Sequence, residues 1–168
     1  LSEKRRFHDL SADIRPITSA GFEVLDELLF RRTYLPSAVS DEVLEQNQRT
    51  LEHQLIACKL AHPGSPVCPT LLGVLAVGKT PTDWVPGAYV QFIRIDGASL
   101  GDPVKDSREV RGALPDLLSE LEDLLKANIQ TSIDFTSGPI EVQRPDYPLV
   151  ALQQILRNAI LHRSYENT

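Results

Sequence analysis

Between Ala113 and Asn128, leucine recurs at positions 114, 117, 118, 121, 124 and 125. Steps of three and four place all six on one side of an α-helix. Asp116, Glu120, Glu122 and Asp123 fall on the other side and are expected to face water; this acidic run is a solvated face, not a catalytic carboxylate pair. A stripe of that width must be covered by other elements, so the flanking sequence decides the fold. Upstream, Ala88-Tyr-Val-Gln-Phe-Ile-Arg-Ile95 is rich in β-branched and aromatic residues and closes on Asp96-Gly97, which predicts a strand. Lys105 to Arg111 predicts a second. Downstream, Ile129, Thr131, Ile133 and Phe135 alternate with polar residues, and Ile140 and Val142 resume the alternation after Ser137-Gly138-Pro139. That pattern predicts a hairpin. The order strand, strand, helix, hairpin, helix predicts an α+β fold, with helices packed on a small antiparallel or mixed sheet.

The first part of the chain predicts short helices. Phe22 to Tyr34 carries Leu25, Leu28, Leu29 and Arg32 at helical spacing, and Pro36 is expected to end it. Ser40 precedes Asp41 and Glu42 as an N-cap with first-turn acids, for a helix to about Gln48. Thr50 caps a third helix with Leu51, Leu55, Ile56 and Leu60 buried, stopping before Pro63-Gly64. These three resemble a winged-helix array, yet no basic recognition helix accompanies them. Thr70 to Val77 is apolar throughout, so periodicity does not separate a buried strand from a buried helix there; a helix capped by Thr70 is the preferred reading, followed by a turn-rich connection from Pro81 to Pro86. The chain is therefore expected to divide into a mostly helical segment, 1–64, and an α+β segment, 65–168.

A net charge of −6 gives no general attraction for nucleic acid or anionic membrane. Lys4-Arg5-Arg6 and Arg31-Arg32 are the local basic clusters, most simply solvated surface. No run approaches the roughly 18 apolar residues of a membrane span, and nothing resembles a signal peptide. Two cysteines, Cys58 and Cys68, give neither a disulfide framework nor a zinc pattern. His53 and His62 flank Cys58 at spacings better explained by ordinary helix positions. A reduced, cytoplasmic setting follows. With no methionine and an end at Thr168 just past a helix, the chain is expected to be a piece of a longer protein.

Two stretches invite a nucleotide. Gly73-Val-Leu-Ala-Val-Gly78-Lys79-Thr80 matches the Walker A letters. A phosphate cradle needs a loop there and a helix starting at the lysine, whereas four apolar residues favour buried regular structure and Pro81 and Pro86 break what should be helix. An accidental match is the expectation. The second stretch, Tyr147 to Tyr165, is an amphipathic helix with Pro148 in its first turn. Leu149, Leu152, Ile155, Leu156, Ala159 and Ile160 are its expected buried face, and Gln154, Asn158 and His162, spaced by four, form a separate stripe. Such a stripe, with Arg163, can hold a ligand or simply be surface.

The closing helix, with Tyr147-Pro148, Ala151-Leu-Gln-Gln154 and Asn158-Ala-Ile-Leu-His-Arg-Ser-Tyr165, resembles a bacterial family of transcriptional regulators. The family also takes in divergent AAA-type and RecG-helicase-related ATP-binding proteins. Arg32 to Glu42, Pro69 to Pro81 and Pro86 to Arg94 are similar to its middle section, so the resemblance spans nearly the whole chain. It implies an upstream Schlafen/AlbA-like DNA-binding domain, absent here, with residues 1–64 as its tail or linker. It also implies that 65–168 ends in the start of a GHKL-type ATP-binding domain, whose N-box is the closing helix. In such a site Asn158 would bind the Mg²⁺ that bridges the ATP phosphates, with Gln154, His162 and Arg163 around the nucleotide. Hydrolytic members carry glutamate where this chain has Gln154, and an amide cannot act as general base. ATP binding without efficient hydrolysis is therefore expected of the full-length protein, and no complete active site of this segment. A ligand-free interaction or dimerisation module, with the 113–128 helix as its contact, and a P-loop NTPase are the alternatives.

Overall fold

The computed structural model describes residues 11–40, 42–43, 49–129, 131–134, 142–145 and 147–165. Its contacts form two compact units. One is Leu1–Tyr89 with Arg111–Asp116 and Tyr165–Thr168; the other is Val90–Val110 with Leu117–Ser164. The helices and small antiparallel two-stranded sheets make an α+β fold.

The first unit opens with single 3-10 turns, Ala12–Ile14 and Phe22–Val24. Helix α1 follows in three continuous parts: Glu27–Leu29, a π-helical turn Phe30–Tyr34, and Leu35–Ala38. The Asp26 carboxylate caps it, accepting the Leu29 N–H at 2.9 Å. Pro36 lies inside this helix and does not end it, contrary to the sequence expectation. An interior proline lacks a donor and crowds the carbonyl four residues back; the wider π-turn just before it absorbs that mismatch. The same widening puts Phe30 and Leu35, five apart, into the core, while Leu28 stays 56% exposed. The helix expected from Ser40 to Gln48 lies largely outside the described residues; Glu42 and Val43 are helical.

Helix α2, Leu51–Ala57, is capped by Thr50, whose hydroxyl accepts the His53 N–H at 3.4 Å. It ends in a Schellman motif: Leu60 N–H donates to the Leu55 carbonyl at 2.9 Å and Lys59 N–H to that of Ile56 at 3.0 Å. Lys59 takes the left-handed φ of +60° that glycine usually supplies. Strands β1, Ala61–His62, and β2, Cys68–Pro69, pair antiparallel. Helix α3 is Leu71–Val77, and Pro81–Trp84 is a one-turn helix, α4, where a bare turn was expected; Pro81 suits its first turn. Leu25, Phe30, Leu55, Leu60, Val74 and Val77 share one core. The division of contacts therefore does not fall near residue 64, because residues on both sides of that point pack together.

In the second unit β3, Tyr89–Ile95, pairs with β4, Val104–Arg111. Only eight residues separate them, too few for a parallel crossover, so they form a hairpin. Gly112, at φ +129°, turns the chain from β4 into helix α5, Leu114–Asn128. Leu117 and Leu121 are buried and the other four leucines of the stripe half-buried, as their spacing predicts. Strands β5, Thr131–Asp134, and β6, Val142–Pro145, pair antiparallel with Thr131 opposite Pro145. They form the predicted hairpin, whose tip lies outside the described residues. Helix α6 is Leu149–Leu161.

Candidate functional site

The Walker A letters fall on α3 and its end. Thr70 is 2% exposed and fully used: its hydroxyl donates to the Lys59 carbonyl at 2.7 Å and accepts the Gly73 N–H at 3.0 Å. Gly73 through Gly78 are buried. Gly73 sits so close to the Leu60 backbone that a Cβ would overlap the Leu60 carbonyl. That close approach, not a phosphate, is what this glycine serves. Val74 N–H donates to Thr70 O and Gly78 N–H to Val74 O, each at 3.0 Å, and Lys79 N–H to Val24 O at 2.9 Å. The Lys79 ammonium donates to the Glu23 carbonyl at 2.8 Å. The amides a phosphate would need are committed to the protein's own carbonyls, and the segment is helix where a cradle needs loop.

Helix α6 is built differently. Leu149, Leu152 and Leu156 are half-buried and Ile160 is buried, as their spacing predicts. Ile155, 65% exposed, and Ala159 correct the expected face: both point outward. The reason lies in Glu122. Its side chain was expected to face water but is only 18% exposed. It accepts from Arg157 Nη2 at 2.6 Å and from Gln153 Nε2 at 3.1 Å. This anchor sets the helix rotation so that Gln153, not Ile155, lies on the inner arc.

The opposite side carries the predicted stripe. Gln154, Asn158 and His162 are all exposed. Gln154 Nε2 donates to Asn158 Oδ1 at 3.4 Å, near the limit of a hydrogen bond. His162 is the C-cap residue, its N–H donating to the Asn158 carbonyl at 3.0 Å, so it continues the ridge to the helix end. Arg163 lies beyond that end, half-buried and engaged in a contact of its own. The structure thus joins Gln154 to Asn158 directly and places His162 one turn on. Around this ridge stand Tyr147 (62% exposed), Val150 (78%) and Leu161 (76%), an apolar rim that sequence periodicity assigned to no face.

Among the described residues no three His, Cys, Asp or Glu side chains converge on a metal position. Cys58 and Cys68 are free thiols, and burial pushes both pKa values up. Burial also raises Tyr34, with the nearby Cys58 adding to it. None of these is an activated nucleophile. A cavity of about 350 Å³ is walled by Phe22, Leu25, Leu51 and Leu55 with Glu23, Asp26, Glu27 and Lys79 at its rim. Its polar groups are largely engaged: Asp26 caps α1, Lys79 holds Glu23, and Glu27 pairs with Arg31 at 2.8 Å. No described helix is long and apolar enough to cross a membrane. No known protein family, curated protein or solved structure matches the chain.

Proposed function

We propose that this chain is a section of a cytoplasmic, ATP-binding transcriptional regulator, in which α6 supplies one wall of a Mg·ATP site completed by other parts of the protein. DNA would be bound by an upstream domain. The observation that carries this reading is the exposed Gln154–Asn158–His162 ridge on a helix whose other side is anchored through Glu122. It rests also on the family resemblance of the letters around Asn158. Mg²⁺ takes hard oxygen ligands and keeps several waters and phosphate oxygens, so a single carboxamide oxygen suits it. Asn158 Oδ1 accepts only a long bond from Gln154, which an incoming cation can replace. Mg²⁺ would neutralise phosphate charge there. Gln154 would orient by hydrogen bonding and cannot take a proton from water. At the position where hydrolytic members carry glutamate, this chain therefore has a side chain that can position but cannot act as general base.

Equilibrium titration of the full-length protein with Mg·ATP tests this, comparing wild type with Asn158→Ala and Lys79→Ala. Loss of a charge-assisted contact predicts at least about tenfold weaker binding for Asn158→Ala, and no change for Lys79→Ala. Loss on the lysine change alone, or absence of binding by wild type, would sink the proposal.

The exposed apolar rim favours a second reading, a contact module that forms homo-oligomers. Its surface would be α6, since the α5 leucines expected to serve are turned inward. Under this reading the molecular mass rises with concentration and Leu161→Asp abolishes the rise.

A further inference from the structure

Within the first unit, the cavity of about 350 Å³ beside the start of α1 combines an apolar wall with an anionic rim. We infer that it binds a small organic ammonium ion, its apolar body on Leu25, Leu51 and Leu55 and its charged nitrogen beside Glu23 and Asp26. The volume falls within the range of about 300–1,000 Å³ common for small-molecule sites. Leu25 and Leu55 are 6% and 1% exposed, whereas Leu28, in the same wall, is 56% exposed and leaves apolar surface for a ligand to cover. At the rim the carboxylates of Glu23, Asp26 and Glu27 stand against the single ammonium of Lys79, so the lining is negative.

The contacts made at the rim leave part of that charge open. Lys79 Nζ donates to the main-chain carbonyl of Glu23 at 2.8 Å, and the Glu23 carboxylate itself has neither a hydrogen bond nor an ion pair among the described residues. Asp26 spends one carboxylate oxygen on capping α1; the other accepts from no described residue. Glu27 is occupied by Arg31. Beside walls this apolar, charge complementarity calls for a cation that brings apolar surface with it. A bare metal ion does not fit, because these acids do not converge on a metal position among the described residues. The walls are also built in advance. Asp26 N–H donates to Val77 O at 2.7 Å, Lys79 N–H to Val24 O at 2.9 Å and Leu25 N–H to Phe22 O at 3.2 Å. Phe22 and Leu51 pack on the core cluster that holds Leu25 and Leu55. A site with little to reorganise loses less affinity to ordering.

Leu25, Leu28, Leu51 and Leu55 all line the cavity, so NMR of isotope-labelled leucine methyl groups reports its occupancy directly. Benzylammonium, benzyl alcohol and methylammonium, at neutral pH and constant ionic strength, are the probes. Benzylammonium should shift these methyl signals saturably with Kd on the order of 1 mM, as expected for so small a ligand. Benzyl alcohol, which keeps the ring and lacks the charge, should bind about tenfold more weakly. Methylammonium, which keeps the charge and lacks the body, should give no saturable shift. Glu23→Gln combined with Asp26→Asn should weaken benzylammonium about tenfold and leave benzyl alcohol as it was. Asparagine caps a helix about as well as aspartate, so this variant should keep its fold, which circular dichroism checks. If it does not fold, Glu23→Gln alone, at an exposed position, should weaken benzylammonium about threefold. No saturation by benzylammonium, equal affinity for benzylammonium and benzyl alcohol, saturable binding of methylammonium, or full benzylammonium affinity in the folded variant would overturn the inference.

Discussion

Helices α3 and α6 carry the two stretches that suggest phosphate chemistry, and their surroundings are opposite. In α3 the residues from Gly73 to Val77 are buried, the cap is a fully satisfied threonine, and the following lysine is tied to a backbone carbonyl. In α6 one arc is anchored by Glu122, and the other presents carboxamides, an imidazole and several large apolar side chains to solvent. Letters that match a motif describe only which groups exist. Whether those groups can meet a ligand depends on what has already claimed their hydrogen bonds.

The contrast can be broken most forcefully at Gly73. Adding one methyl group in Gly73→Ala forces it against the Leu60 carbonyl. Overpacking of that kind costs about 3 kcal/mol, so thermal unfolding without any nucleotide should fall sharply. If Gly73→Ala kept its stability and lost only ATP binding, α3 would be a phosphate site after all. Thr70→Val should follow at about 2 kcal/mol, from losing a helix cap and leaving the Lys59 carbonyl short of a donor. Urea denaturation measures this, with an unchanged m-value as the sign that packing is otherwise intact.

Lys59→Gly runs the other way. A lysine held at φ +60° carries steric strain that glycine does not. The Schellman bonds are backbone groups and survive the change, so a gain of about 1 kcal/mol is expected, visible as a raised Tm. Smaller again is the effect of alkaline pH. Cys58 and Cys68 have pKa values above the reference of 9.0 because burial disfavours the thiolate. The folded state therefore holds their protons more tightly than the unfolded chain does. Their contribution is complete below pH 9.0 and is lost as pH rises through the raised folded-state values, so Tm should decline above that point. A Cys58→Ala, Cys68→Ala double variant should show a shallower decline.

Much of the fold could be read from local pattern. The α5 leucines, the Thr50 and Thr70 caps, the β3 strand and the β5–β6 pairing all follow from spacing and capping chemistry, because each depends on neighbours within a few residues. Features that depend on distant partners, or on a helix departing from its ideal period, were hidden. Pro36 inside α1 depends on a π-turn that no periodicity of 3.6 anticipates. The outward turn of Ile155 depends on Glu122, more than thirty residues away, pulling Gln153 inward. A cleft lined by Arg15, Trp84 and Tyr165 draws on three separate parts of the chain, so no single stretch announces it. The polar ridge itself was legible, since spacing by four needs nothing beyond the helix.

The smallest expected effect is the most discriminating. Asn158→Ala removes an exposed side chain whose one hydrogen bond is long, and exposed substitutions of this type change stability by less than about 0.5 kcal/mol. Alanine also favours helix over asparagine, which offsets part of any loss. The variant should therefore unfold at nearly the wild-type temperature. Destabilisation by more than about 1 kcal/mol would mean that the carboxamide supports the fold, as Thr70 does, and the opposition between the two helices would lose its basis. Unchanged stability combined with weakened Mg·ATP binding in the full-length protein would instead assign this residue to a ligand, because the folded segment itself makes so little use of it.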